Sequence, residues 1–162
     1  MRFEVRVPHV EELETGVAEE VALENARRKA RAICAEELVL GVDTVVSLNG
    51  RLYGKPQDET EARATLRALS GQRHEVLSGV CLIVEGRERT GVARTSVMLR
   101  ALDEKLLDWY VANGEWRERA GGYAIQGRGA ALVAGIEGDY ENVVGLPVAM
   151  LLELEPGLLV PG

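Results

Sequence analysis

The sequence predicts an α/β domain with a mixed sheet and flanking helices, and three observations support this. Apolar residues recur at helical spacing in residues 19–36. A nearly continuous apolar run follows at residues 38–46 and is typical of a strand buried on both faces. An Asn-Gly pair then indicates a hairpin, which interrupts the helix and strand alternation and so favours a mixed sheet.

The first half of the chain supplies these elements in order. An extended start has apolar residues at alternate positions, namely Phe3, Val5 and Val7. The helix over residues 19–36 has an inner stripe formed by Val21, Ala22, Asn25, Ala26, Lys29, Ala30 and Ile33. After the strand at residues 38–46, the hairpin turns at Asn49 and Gly50.

The second half continues with helices and strands that have clear end signals. Asp58 and Glu61 form an acidic capping box for a helix that ends at Gly71. Two strands are predicted at residues 75–84 and 90–102, followed by a short helix from Asp103. Six glycines lie within residues 121–138 and indicate close backbone approach, and Pro147 suits the first turn of a last helix running to about Leu154.

Composition limits the classes of function. The chain has 162 residues, with 19 Lys+Arg against 26 Asp+Glu and a net charge of −7, which disfavours binding of long nucleic acid. Its apolar fraction of 46% favours a globular domain. We find neither a secretory signal nor an apolar run of the ~20 residues that a membrane span needs, so a cytoplasmic protein without a membrane partner is expected. Cys34 and Cys81 are too few for a disulfide scaffold.

Asp43 is the first candidate for chemistry, because it lies inside an apolar run. A buried carboxylate is costly unless it is paired, hydrogen-bonded or bound to a metal. The structural alternative, an aspartate bonded to backbone amides at a strand end, is equally open at this point. Lys55 lies between a glycine and a proline, which suits a fixed cation that meets phosphate, although an exposed loop lysine gives the same pattern.

Glu12 and Lys29 extend the candidate set. Lys29 lies on the apolar stripe of the first helix, where its side chain either extends outward to solvent or points into a cleft. Together, Glu12, Asp43, Lys29 and Lys55 offer two carboxylates for a divalent metal or an attacking water and two cations for phosphates. That combination suits phosphoryl or nucleotidyl hydrolysis, and a salt-bridged surface is the alternative.

The glycine-rich segment from Ala120 to Gly127 matches neither a P-loop nor a dinucleotide-binding fingerprint. Its Gln126 either contacts a base or water, or is a turn residue in solvent.

In order and spacing, seven stretches resemble the Maf family of nucleoside triphosphate pyrophosphatases. They are Glu11-Glu12, residues 26–30, GVDTVV from Gly41, GKP from Gly54, LSGQRHEV from Leu69, AGGYAIQG from Ala120 and GDYENVVGLP from Gly138. The resemblance covers nearly the entire chain and implies one domain over residues 1–162, with two lobes around a nucleotide cleft. A homodimer is expected by resemblance only.

The resemblance also implies an activity and a site. A nucleoside triphosphate would be hydrolysed to the monophosphate and pyrophosphate with Mg²⁺ or Mn²⁺, with Asp43 as proton acceptor and Glu12 and Asp43 as the metal carboxylates. Lys29 and Lys55 would hold the triphosphate, with Lys55 and Gln126 counted among the catalytic residues. The substrate-binding set is implied to be Lys29, Thr44, Lys55, Arg119 and Gln126.

The resemblance also favours one substrate branch, and the sequence departs from the family pattern at two places. DTVV with AGGYAIQG resembles the dTTP/UTP branch rather than the 7-methyl-GTP branch, so a pyrimidine substrate is favoured. Arg119 replaces the usual lysine before AGGY. The family's opening strand and S-x-S-P-R-R loop are not found before Phe3. Either the sequence starts at an internal Met, or it is a shortened member, about one strand and one helix short, for which weakened phosphate binding is expected. Alternatives are a catalytically weak nucleotide-binding regulator of septum formation in cell division, or removal of deaminated purine triphosphates.

Overall fold

A computed structural model describes residues 3–33 and 38–158 of the chain. The helices are α1 (Ala18–Arg31), α2 (Glu59–Leu69), α3 (Glu104–Ala112), α4 (Tyr140–Val144) and α5 (Val148–Leu154). The strands are β1 (Val39–Leu48), β2 (Arg51–Tyr53), β3 (Arg73–Val84), β4 (Arg87–Leu99) and β5 (Val133–Glu137). Two short 3₁₀ helices cover Ala120–Gly122 and Arg128–Leu132. Among the described helices, none has the length and apolar character to cross a membrane.

The five strands form one sheet in the order β2-β1-β3-β4-β5. This confirms the predicted α/β class with flanking helices. Every pairing between described strands is antiparallel, so the parallel component of the predicted mixed sheet is not found among them. Tight turns join β1 to β2 and β3 to β4, and the connection through α2 joins β2 to β3, which lie on opposite sides of β1 and do not pair with each other.

The predicted hairpin is confirmed between β1 and β2. Asn49 and Gly50 have φ values of 52° and 80°, the left-handed conformation that a tight two-residue turn requires. The strand β2 is only three residues long and pairs with Val46, Ser47 and Leu48. The rest of β1 therefore has β3 as its single neighbour among the described strands.

The predicted helix ends agree with the observed caps. The Asp58 carboxylate accepts a hydrogen bond from the Glu61 amide at 2.8 Å, and Asp103 caps α3 in the same way through Leu106. The first helix ends at Arg31; the end predicted for it at residue 36 lies outside the described residues, as does Cys34. The extended start at Phe3, Val5 and Val7 forms no strand, and these three side chains are exposed.

The helix α1 packs on one face of the sheet through very small residues. Its buried alanines, spaced four residues apart, are Ala22, Ala26 and Ala30. They face glycines of the strands: a Cβ atom placed on Gly41 would lie 2.8 Å from the backbone nitrogen of Ala30. Since real Cβ atoms do not approach backbone this closely, the glycines are what allow α1 to lie against the sheet.

The opposite face of the sheet holds the main core. Leu66, Leu69, Leu107 and Tyr110 from α2 and α3 pack there among 14 buried residues of one cluster. A smaller cluster joins Leu151 of α5 to Val80 and Leu82 of β3. The elements β5 and α4 lie within or just after the glycine-rich segment, where the sequence did not predict a strand or a helix.

Candidate active site

A cleft of about 290 Å³ opens at the edge of the sheet, beyond the end of β2. Because this part of β1 has β3 as its single neighbour among the described strands, residues from both faces of β1 reach this opening. Five of the predicted site residues line it: Lys29, Asp43, Thr44, Lys55 and Arg119. The segment around Tyr123 and the backbone that follows α4, at Val144 and Gly145, form the other walls.

Asp43 is buried, and both oxygens of its carboxylate contact side chains of α1. The Lys29 ammonium donates to Oδ1 at 2.5 Å, and the Asn25 amide donates to Oδ2 at 3.1 Å. The side chain is 8% exposed, so it keeps an opening toward the cleft while most of its surface is covered. Of the two sequence interpretations, the structure therefore supports a carboxylate paired with side chains.

Lys29 is shared by two carboxylates. Its ammonium lies 2.9 Å from Glu12 Oε1 as well as 2.5 Å from Asp43 Oδ1. Burial on its own lowers the pKa of Lys29, but the hydrogen bonds and charges of Asp43 and Glu12 together outweigh it, and the pKa lies above its ordinary value. The side chain is consequently a fixed positive charge beside Asp43, and it points into the cleft rather than out to solvent.

The two predicted metal ligands, Glu12 and Asp43, both contact the Lys29 ammonium group. No cluster of three or more His, Cys, Asp or Glu side chains that could hold a metal occurs in residues 3–33 and 38–158. Two carboxylates nevertheless match the usual protein donor set for Mg²⁺, which takes one or two carboxylates and completes its shell with substrate phosphate oxygens and water. The donors present thus fit a metal that binds with the nucleotide.

Lys55 and Arg119 add positive charge to the lining of the cleft. Lys55 Nζ is 3.7 Å from an Oε atom of Glu118, and both of these side chains are exposed. An exposed ion pair at this distance contributes little stability, about 0–1 kcal/mol. Lys55 is therefore free to exchange Glu118 for a more highly charged anion.

Thr44 belongs to a chain of hydroxyl and amide groups behind the cleft. Its Oγ1 lies 2.7 Å from the Ser78 hydroxyl, which in turn lies 3.4 Å from the Asn142 carbonyl oxygen. The Asn142 amide donates to the Val76 carbonyl and to the Thr95 hydroxyl. These contacts anchor α4 to the sheet and thereby fix the Val144 and Gly145 wall.

Gln126 and Glu12 are the predicted site residues that do not line the cleft. Glu12 reaches it indirectly, through its ion pair with Lys29. The Gln126 side chain is exposed, in a turn closed by a hydrogen bond from the Gly127 amide to the Ala124 carbonyl. Its predicted substrate contact stays a prediction.

Tyr123 is held in the cleft wall by His74. The tyrosine hydroxyl and His74 Nε2 are 2.8 Å apart, with the rings edge to face at 5.6 Å between centroids. Burial lowers the pKa of His74 to about 4 and raises that of Tyr123. The imidazole is consequently neutral at pH 7.

The buried His74 predicts a loss of stability in mild acid. Between about pH 6.5 and pH 4 the unfolded chain binds a proton at this histidine and the folded chain does not, so stability falls as pH falls through that window. The expected contribution is about 3 kcal/mol. Urea unfolding of H74Q at several pH values checks this, because the variant should show a flatter dependence.

The exposed His9 supplies the control for that experiment. H9Q should keep the wild-type pH dependence, since it makes the same substitution at an exposed histidine and leaves the buried His74 in place. Equal slopes for wild type and H74Q would contradict the assignment.

Three residues of this region escaped prediction from sequence as functional groups: Asn25, Ser78 and Asn142. Asn25 carries a signal that could have found it, since a buried polar amide on the inner stripe of a helix, one turn before Lys29, needs hydrogen-bond partners. Ser78 gives the same signal, because it is a buried polar residue in an apolar strand and also needs a hydrogen-bond partner.

The sequence is similar to a known protein family and to several named enzymes. A family model described as Maf-like protein matches residues 1–155. The dTTP/UTP pyrophosphatase of Pyrococcus furiosus is 45% identical over 138 residues, which cover 83% of this chain and 73% of that protein. Those of Pyrococcus horikoshii and Deinococcus radiodurans are 42% and 47% identical, covering 94% and 85% of this chain and 85% and 72% of theirs.

Proposed function

Because this chain belongs to the Maf family, we propose that it hydrolyses dTTP and UTP to the nucleoside monophosphate and pyrophosphate. Several relatives that are 42–47% identical to it carry the name dTTP/UTP pyrophosphatase. The reaction places one water oxygen on the α-phosphorus and breaks the bond from that phosphorus to the bridging oxygen. Pyrophosphate leaves, and one proton is released.

The single observation that carries the proposal is the paired carboxylate at the cleft. Asp43 lies in a mostly covered position, contacts a permanent cation, and still faces the opening. A carboxylate in that setting is suited to accept the proton of the attacking water. The cation beside it, Lys29, is suited to offset the charge on the phosphate that the water approaches.

The remaining cleft cations suit the triphosphate. Lys55 has a loose exposed partner in Glu118, and Arg119 lines the same cleft. A triphosphate carries more charge than Glu118, so it would displace that carboxylate from Lys55. The arginine at position 119 offers a planar fork of donors to phosphate oxygens in place of a point charge.

The family implies a divalent metal, and we propose that it is Mg²⁺ or Mn²⁺. Glu12 and Asp43 would hold it together with phosphate oxygens of the substrate. When bound, such a metal offsets phosphate charge and orients the leaving group.

Pyrophosphate release over a panel of nucleotides tests the proposal. With Mg²⁺ or Mn²⁺ present, we expect kcat/KM for dTTP and UTP to exceed that for CTP, 7-methyl-GTP and ITP by roughly tenfold or more. Chelation of the metal should abolish release. Folded protein whose release from every nucleotide matches buffer would contradict the proposal.

The panel also separates the alternatives. Nucleotide binding without hydrolysis would support the regulator of septum formation, which the enzyme names of the relatives do not favour. Preference for ITP would support removal of deaminated purines. The homodimer and the cytoplasmic location stay predictions.

A further inference from the structure

The side chain that joins the two parts of the site is Asn25, in α1 one turn before Lys29. We propose that Asn25 is a positioning residue, which fixes the Asp43 carboxylate and the segment bearing Glu12 relative to each other. The inference rests on the proposed function, because it assigns Asn25 a role in that same reaction.

Both the oxygen and the nitrogen of the Asn25 side-chain amide make hydrogen bonds. The side chain is 1% exposed, and its Oδ1 accepts a hydrogen bond from the Leu13 amide at 2.7 Å. Its Nδ2 donates to the Leu13 carbonyl at 3.0 Å and to Asp43 Oδ2 at 3.1 Å. Since the amide nitrogen has two hydrogens, both donors are satisfied and the orientation of the group is fixed.

The pairing with Leu13 resembles that between two peptide groups in a sheet. Residues 3–15 form no helix or strand, so contacts to other elements must hold this segment in place. Arg28 donates to the Glu11 carbonyl at 2.7 Å, and Lys29 pairs with Glu12 at 2.9 Å. Asn25 adds two hydrogen bonds to backbone, which persist when the charges of Glu12 and Lys29 are engaged by substrate.

Only an asparagine satisfies all three contacts at this position. Aspartate keeps an acceptor for the Leu13 amide but has no donor for the Leu13 carbonyl or for Asp43, and it places a like charge about 3 Å from the Asp43 carboxylate. Leucine has a similar size and neither donor nor acceptor. Both substitutions therefore remove the two donated hydrogen bonds, and only leucine also removes the acceptor of the Leu13 amide.

Steady-state kinetics on N25D and N25L provide the first test. We expect kcat for dTTP to fall roughly 10- to 100-fold in both variants, because the proton acceptor is no longer held in one orientation, while KM changes less than about threefold. R31A, which alters an exposed arginine of the same helix, should keep wild-type kcat. Thermal unfolding checks that each variant is folded.

Hydrogen exchange at the Leu13 amide provides a second test that needs no substrate. The amide should be protected in wild type and N25D, where an oxygen accepts its hydrogen bond, and should exchange much faster in N25L. Active wild type with kcat unchanged in N25D and N25L, or with Leu13 equally protected in N25L, would overturn the role of Asn25. Wild type that releases no pyrophosphate would instead overturn the proposed function, and with it any catalytic role for Asn25.

Discussion

Replacement of Asp43 by asparagine is expected to lower kcat for dTTP by about 10²- to 10⁴-fold, the usual contribution of a general base. The amide matches the carboxylate in size but does not accept a proton from water at neutral pH. The substitution also leaves Lys29 with Glu12 at 2.9 Å, so the ammonium still has a negatively charged partner. The loss should therefore reside in the chemical step, with the fold retained.

Pyrophosphate release by D43N, with thermal unfolding measured beside it, checks this expectation. D108N is the matched control, because it makes the same chemical change at an exposed aspartate that pairs with Arg63. We expect D108N to keep the wild-type kcat. A folded D43N with kcat within tenfold of wild type would exclude Asp43 as the proton acceptor.

Replacement of Gly79 by alanine is expected to destabilise the protein by about 3 kcal/mol and to lower activity as well. The new Cβ would lie 2.6 Å from the backbone nitrogen of Leu23, so α1 must move away from the sheet. Gly79 pairs directly with Asp43 in the neighbouring strand. Moving the helix would thus also withdraw Asn25 and Lys29 from the Asp43 carboxylate.

Urea unfolding and steady-state kinetics on G79A test both parts of this prediction. G135A is the matched control, since a Cβ there meets no atom within 4 Å. It should change stability by less than about 0.5 kcal/mol and leave kcat unchanged. Wild-type stability in G79A would show that α1 tolerates the displacement.

Much of the fold was predictable because the signals are local. The turn at Asn49 and Gly50 depends on two adjacent residues that adopt positive φ readily, and the caps at Asp58 and Asp103 depend on one carboxylate each. Such signals act within a few residues, so they are present in the sequence whatever the remainder of the chain does.

The direction of strand pairing and the two elements β5 and α4 depend on distant contacts. The strand β5 has five residues, and its partner β4 lies more than thirty residues earlier in the chain. The helix α4 also has five residues, and Asn142 attaches it to Val76 and Thr95. Short segments of this kind have little propensity of their own, so tertiary contacts determine them.

The residues of the candidate site likewise differ in whether their positions follow from local sequence or from distant contacts. Asp43 and Lys29 were predictable because a charged residue on a buried stripe needs an explanation, and the structure brings the two together. For Gln126 the sequence left open a substrate contact and a turn position in solvent, since the direction of a side chain in a glycine-rich turn depends on how the turn packs. Asn25 was placed on the correct stripe, but its partners are 12 and 18 residues away.

The shortness of β2 has a consequence for how substrate selection should be studied. Beyond the three residues that β2 covers, alternate peptide groups of β1 have no strand partner in the described part of the chain, and they border the cleft at Val42 and Thr44. Peptide N–H and C=O groups are the same whichever side chain is attached. Alanine scanning of the cleft would leave these peptide groups unchanged, whereas amide-to-ester substitution in the main chain would alter them.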